Sequence, residues 1–304
     1  MLPIIQKRKI PFVISALLVI ASFVLLFTIG LKPGLDFTGG TLLNFNFTET
    51  RPDVAQVQQS LAPLNLGSTV LQQTGDKGYL LKTQFITEEQ HQAVLKNLRQ
   101  SFEKNNNKVL EETIQTIGPS VSSELKKQAG KTGFAVVLCI ILYIAYSFRK
   151  VSRPVASWKF GVAGVVALVH DVIITIGIFV LLGKYMGVEV DIPFVVAMLT
   201  ILGYSVNDTI VVFDRIREKL IRSSSKDFAE TVNVAVNETI ARSVNTSLTV
   251  MLTLLALFFF GGASIHYFSL ALIIGVFFGT YSSIFVASSL LVSWESWERK
   301  RRAA

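Results

Sequence analysis

Six stretches of this sequence are apolar for long enough to cross a bilayer, and that limits the fold before any other feature does. Crossing about 30 Å of hydrocarbon takes roughly 20 helical residues. Backbone polar groups held in hydrocarbon must be satisfied within the segment, which selects helices. The runs fall at about 11–31, 133–148, 160–182, 192–213, 240–260 and 267–293. The second is short unless its helix starts near Lys131. The fifth has a clean apolar stretch of 13 residues, 248–260, so a full span draws Ser247, Thr246, Asn245 and Arg242 into the membrane. The first lacks a small-x-small cleavage pattern before Lys32 and reads as an uncleaved anchor. A hydrophobic fraction of 51% in 304 residues fits this membrane reading and not a soluble domain.

Charge placement orients the spans. Lys7, Arg8 and Lys9 precede the first, and Arg149, Lys150, Arg153 and Lys159 lie between the second and third. Arg215, Arg217, Lys219, Arg222 and Lys226 follow the fourth, and Arg299, Lys300, Arg301 and Arg302 close the sequence. The short loops of the other side carry Lys184 alone. The positive-inside rule therefore predicts cytoplasmic termini and an external loop after the first span. Charges within that loop nearly cancel, so the net +8 is inner-face anchoring to membrane lipids and gives no ground for nucleic-acid binding. Trp158, Trp294 and Trp297 suit the aromatic belt of the same face. Cys139 has no partner for an internal disulfide, and His91, His170 and His266 are too scattered for a metal site.

The division expected is 1–31 (N-terminus and first span), 32–130 (external domain and linker) and 131–304 (five further spans). The external loop has its own grammar. Leu43, Phe45 and Phe47 alternate in a strand at 41–47, and further strands are read at 68–73, 79–85 and 109–117. Thr50 with Asp53 resembles a capping box before a helix with Val54, Val57 and Leu61 on one stripe. Thr87 and Gln90 cap a second helix, with Val94, Leu95, Leu98 and Phe102 inward. The order is βαββαβ, an α+β ferredoxin-like domain. It holds no convergent cluster of His, Cys, Asp or Glu, so it reads as a gripping surface or spacer.

The spans hold the chemistry. Asp208 is the single formal charge within the 22 residues of 192–213. A carboxylate near the bilayer centre costs about 2.5–3.5 kcal/mol on insertion scales, so it faces protein or water and marks an ion or proton path. Arg242 lies 34 residues on, at similar depth on the next, antiparallel span. Burial and a nearby guanidinium pull the carboxyl's proton affinity in opposite directions, so a modest helix shift would load or release a proton. Ser205, Asn207, Thr209, Asn245, Thr246 and Ser247 are the polar residues expected to hold water beside the pair. The plain alternative is a salt bridge that fastens two helices. Asp171, beside His170 in the third span, is either a proton relay or a helix–helix hydrogen-bonder. Asp191 suits a helix N-cap, and Gly275 with Gly279 forms a GxxxG packing pattern in the sixth span. Phe228, Val232, Val236 and Ile240 recur every four residues, as in an amphipathic helix that lies at the inner surface and leads into the fifth span.

GLDFTGG (34–40), Ile117-Gly118-Pro119, Val169-His170-Asp171-Val172, GYSVNDTIVVFDRIRE (203–218) and NETIARSVNTSLT (237–249) together resemble the SecF family of bacterial protein-export membrane proteins over nearly the whole chain. The resemblance implies six transmembrane helices with an external domain after the first, half of a resistance-nodulation-division (RND) type transporter. It also implies the inner membrane as location and SecD as partner, with docking on the SecYEG channel and association with YajC. Unfolded exported polypeptides would be the cargo, pulled outward by the proton-motive force after ATP-driven translocation. The family's proton path aligns with Asp208 and Arg242, and its further acid belongs to SecD. Protons are the coupling ion and no cofactor is expected. With no nucleotide loop or nucleophile constellation, an enzyme is not expected either. A proton-driven exporter of lipids or small molecules and a passive scaffold stabilising SecD are the rival readings.

Overall fold

A computed structural model describes residues 1–104, 106–147, 156–222 and 227–303. Phe148, expected to end the second span, lies outside the described residues, as do Arg149, Lys150, Arg153 and Lys226 of the expected inner-face charge. In chain order the elements are α1 (Lys9–Thr28), α2 (Leu35–Thr38), β1 (Gly40–Phe47), α3 (Val54–Leu61), β2 (Val70–Thr74) and β3 (Gly78–Thr83). There follow α4 (Glu88–Phe102), β4 (Val109–Ile117), α5 (Pro119–Ser147), α6 (Ser157–Met186), α7 (Ile192–Arg222) and α8 (Phe228–Phe260). Then come α9 (Ala263–Tyr281), a π-helical stretch at Ser282–Ala287, and α10 (Ser288–Ala303). Two compact units result: Pro33–Ala129, and Met1–Lys32 with Gly130–Ala304.

The first unit is an antiparallel sheet of order β2-β3-β1-β4 with α3 and α4 on one face. Strand alternation puts Leu43, Phe45 and Phe47 of β1 inward with Tyr79 and Leu81 of β3. Val57 and Leu61 of α3 and Val94, Leu95 and Leu98 of α4 close that core. The Thr87–Gln90 capping box forms, Gln90 N–H donating to Thr87 Oγ1 at 3.4 Å and Thr87 N–H to Gln90 Oε1 at 3.0 Å. The first box differs from the sequence reading: Asp53 is itself the N-cap and Gln56 its partner, while Thr50 offers its carbonyl to Asn107. Three residues after Asp53 comes Gln56, the spacing a box needs. Gly39 and Gly40 explain the double glycine of GLDFTGG. Both have positive φ (68° and 126°), and a Cβ on Gly40 would stand 2.5 Å from the Thr83 carbonyl oxygen.

In the second unit, six helices among the described residues are long and apolar enough to span a membrane. Half of the most apolar window of α6 and of α7 is buried, against 11% of α1 and 6% of α5. So α6, α7 and α9–α10 form the centre. Gly275 and Gly279 lie against Ile201 and Ser205 of α7, where a Cβ on Gly279 would meet Ser205 Cβ at 3.2 Å; the GxxxG pattern is a packing surface. Asp191 Oδ1 accepts the Phe194 N–H at 3.5 Å at the start of α7.

One expectation is corrected here. The four-residue stripe of 228–240 leads into the fifth span, as expected, within the 33-residue α8, but it does not lie open at the inner surface. Phe228, Val232 and Val236 are buried with Phe213, Ile216 and Leu291, so the stripe faces protein. Asn233 and Asn237 on α8 hold the N-terminal backbone: their Oδ1 atoms accept the N–H of Ile5 (3.1 Å) and Leu2 (2.8 Å). Periodicity marks an apolar face without saying what covers it.

Candidate functional site

The buried stripe of α7 runs Phe194, Ala197, Ile201, Ser205, Asp208, Val212 and Ile216, steps of three and four that put Asp208 on the inward face. Asp208 and Asp171 both sit inside the bundle, 8% and 0% exposed. Their surroundings differ.

Asp171 is fully provided with donors. His170 Nδ1 lies 2.8 Å from its Oδ1, while Ser205 Oγ–H (2.6 Å) and Ser282 Oγ–H (2.8 Å) donate to its Oδ2. The contacts join α6 to α7 and to the π-helical stretch, the helix–helix role open to it from sequence. The His170 ring stacks on Tyr281 at 6.1 Å, and Tyr281 Oη donates to the Pro11 carbonyl of α1 at 3.1 Å.

Asp208 is poorly provided. The hydroxyls of Ser243 on α8 and Ser283 approach its carboxyl, yet its Oδ2 is buried with no hydrogen-bond partner. Ser283 is committed elsewhere, to Thr209 Oγ1 at 2.8 Å and to the Gly279 carbonyl at 2.9 Å. A buried acceptor left unpaired costs about 1–3 kcal/mol, more when charged, so this carboxyl is where a proton or an incoming donor gains most.

The expected Asp208–Arg242 pair is not formed within this chain. Ser243 is the α8 residue that faces Asp208, and its neighbour Arg242, a helical step of about 100° away, points outward and is exposed. Arg242 lines a hollow of about 270 Å³ with Asp214, Arg215, Glu218, Glu238 and Thr239. Those acids are already engaged: Arg215 with Glu218 and Glu238, Lys219 with Glu238 (2.7 Å), and Arg217 with Asp214 (2.8 Å). The polar set divides in the same way. Ser205 and Thr209 are buried beside the acids, whereas Asn207 and Asn245 are exposed. Among the described residues, nothing groups three His, Cys, Asp or Glu as a metal site.

Sequence reasoning missed Ser282 and Ser283. The available signal was a Tyr-Ser-Ser break at 281–283 inside an apolar span. π-Helical turns arise mostly as local insertions and are frequent at functional sites.

The fold and its buried acids define a multi-pass membrane protein in which a helical bundle with a polar centre carries a small sheet domain between its first two spans. Comparison with known proteins narrows that class. The family described as "Protein export membrane protein SecD/SecF, C-terminal" matches residues 97–297, and the SecD/SecF GG motif matches 24–50. The protein translocase subunit SecF of Thermobaculum terrenum is 40% identical, with 97% of this chain and 95% of that one covered. That of Synechocystis is 38% identical with the same coverage. The crystal structure of SecDF from Thermus thermophilus, a translocon-associated membrane protein, aligns with a TM-score of 0.80 at 34% identity. It covers 96% of this chain, which spans 38% of that longer one. The chain belongs to the SecD/SecF family of protein-export membrane proteins, with SecF translocase subunits as its full-length relatives.

Proposed function

We propose that this chain is the SecF-type half of a proton-driven protein-export device, paired with SecD in the bacterial inner membrane and docked on SecYEG, with YajC as a further companion. Its termini are cytoplasmic and its sheet domain faces outward, where it bears on unfolded polypeptide emerging after the ATP-driven step. The reading rests on the orphaned Oδ2 of Asp208 in the bundle centre. Fastening alone would favour an acid with donors, as Asp171 has; an acid that must take up and give away a proton is better left short of them. Arg242, Asn245 and Thr246 are exposed on α8, within a helix long and apolar enough to span a membrane, where lipid would be a poor neighbour for them. A SecD helix laid there would cover them and bring a further acid. Arg242 would tune and orient this path without itself losing a proton.

The available energy is modest. One proton descending ~150 mV releases about 3.5 kcal/mol, enough to bias a two-state movement of the sheet domain. The test is export into energised vesicles by this chain reconstituted with SecD and SecYEG, with and without a protonophore. Asp208→Asn should assemble normally and show no stimulation by the force. Full stimulation in that variant, or recovery of the chain with an outer-membrane duct in place of SecD, would end this reading.

A further inference from the structure

Two neighbouring serines open the π-helical stretch and turn toward different acids. Ser282 reaches Asp171 on α6, and Ser283 reaches Thr209 and the carboxyl of Asp208 on α7. Both hydroxyls also face the same acceptor, the carbonyl of Gly279, at 3.1 and 2.9 Å. A hydroxyl has one proton to donate, and the Gly279 carbonyl, which already accepts the Ser282 N–H, has one lone pair left. Ser282 is nearer Asp171 (2.8 Å) than Gly279, which leaves the carbonyl to Ser283. Ser283 is then unable to donate to Asp208, and Asp208 Oδ2 goes without a partner.

We propose that Ser282 and Ser283 are positioning residues that couple the two buried acids by exchanging the Gly279 carbonyl between them. While Asp171 is an anion it holds the Ser282 proton, Ser283 satisfies Gly279, and Asp208 has only Ser243 near its carboxyl, with Oδ2 unpaired. When Asp171 loses its charge, Ser282 turns to Gly279, and Ser283 is released to donate to Asp208. Thr209 donates to Ser283 in either state, so no donor is orphaned. Successive side chains of a helix point about 100° apart, so Ser282 and Ser283 at the start of the π-helical stretch meet two different helices.

The surrounding titratable groups leave the exchange to these two acids. On α6 there is His170, bonded to Asp171, and from α9 Tyr281 stacks on that ring with its hydroxyl given to Pro11. On α7 Tyr204 donates to Ser247 of α8. α8 brings Ser243 to Asp208, and α1 contributes Ser15, which bonds Tyr281. Arg242 faces the acidic hollow.

The proposal rests on Asp208 being a proton carrier, and its test separates the two ideas. The complex with SecD, in membranes, is titrated by infrared difference spectroscopy, and the Asp208 carboxyl band is identified by its loss in Asp208→Asn. Asp171→Asn should change the proton affinity of Asp208 about tenfold, a shift of about one unit. Ser282→Ala alone should leave it unchanged, and the shift should vanish in Asp171→Asn combined with Ser282→Ala or with Ser283→Ala. Ser282→Thr, which keeps the hydroxyl, should restore it. Thermal melting of each complex shows that the variants are folded. A shift that persists without Ser282, or no shift in Asp171→Asn, overturns the coupling and leaves the proton reading standing. Absence of any titrating Asp208 band overturns both.

Discussion

In the sheet domain, Phe45, Phe47, Tyr79 and Phe102 meet ring to ring at centroid distances of 5.9–6.2 Å, and Leu and Val side chains fill the remainder. In the bundle, the level between α6, α7 and the π turn is instead made of Asp171, Ser205, Asp208, Thr209, Ser282 and Ser283, all buried. The solvent accounts for the contrast. A water-facing domain gains stability by removing large apolar side chains from water. Helices in lipid gain little that way, because the lipid is as apolar as their side chains, so close approach and hydrogen bonds hold them. Volume should therefore govern mutational effects in the first unit, and donor–acceptor balance in the second.

Phe45→Ala should break the sheet domain most severely, costing about 3–5 kcal/mol through the cavity it leaves. Limited proteolysis of the full chain within 33–129 would detect it, with the bundle fragment staying intact. Asp171→Ala strips three donors of their acceptor and should lower bundle stability by about 2–3 kcal/mol, read as thermal melting in detergent. Gly279→Ala, forced against Ser205, should cost about 1–2 kcal/mol by the same measurement.

The smallest effect belongs to an exposed surface group. The Glu88 carboxyl is held below its usual range by Gln92 and then by His91. A lowered carboxylate stabilises the fold above its unfolded value and loses that contribution as pH falls through its folded value. Glu88→Gln should thus lower domain stability slightly at neutral pH and flatten its decline in that acid window. Melting curves across the window check it.

Apolar length, alternation and capping pattern were enough to read the spans and strands, since each rests on local periodicity. The burial of the 228–240 stripe escaped because periodicity does not say what covers a face, and the Asp53–Gln56 box because Thr50 with Asp53 offered the same spacing three residues earlier. Asp208 stood out as a charge in an apolar run. The absence of a contact with Arg242 did not, because matched depth leaves rotation about the helix axis unspecified, and one residue turns a side chain by about 100°. Ser282 and Ser283 carried no charge to draw attention. They open a π turn that no spacing rule announces.

The claim at the centre of this account is a division of labour between two buried acids, one supplied with donors and one deprived of them. It is tested by measuring, for Asp171→Asn and Asp208→Asn in the complex with SecD, both the melting temperature and the force-dependent part of export. Asp208→Asn should keep the wild-type melting temperature and lose the force dependence, while Asp171→Asn should melt lower. Force-dependent export at the wild-type level in Asp208→Asn, or a loss that merely follows its melting temperature, would contradict the account.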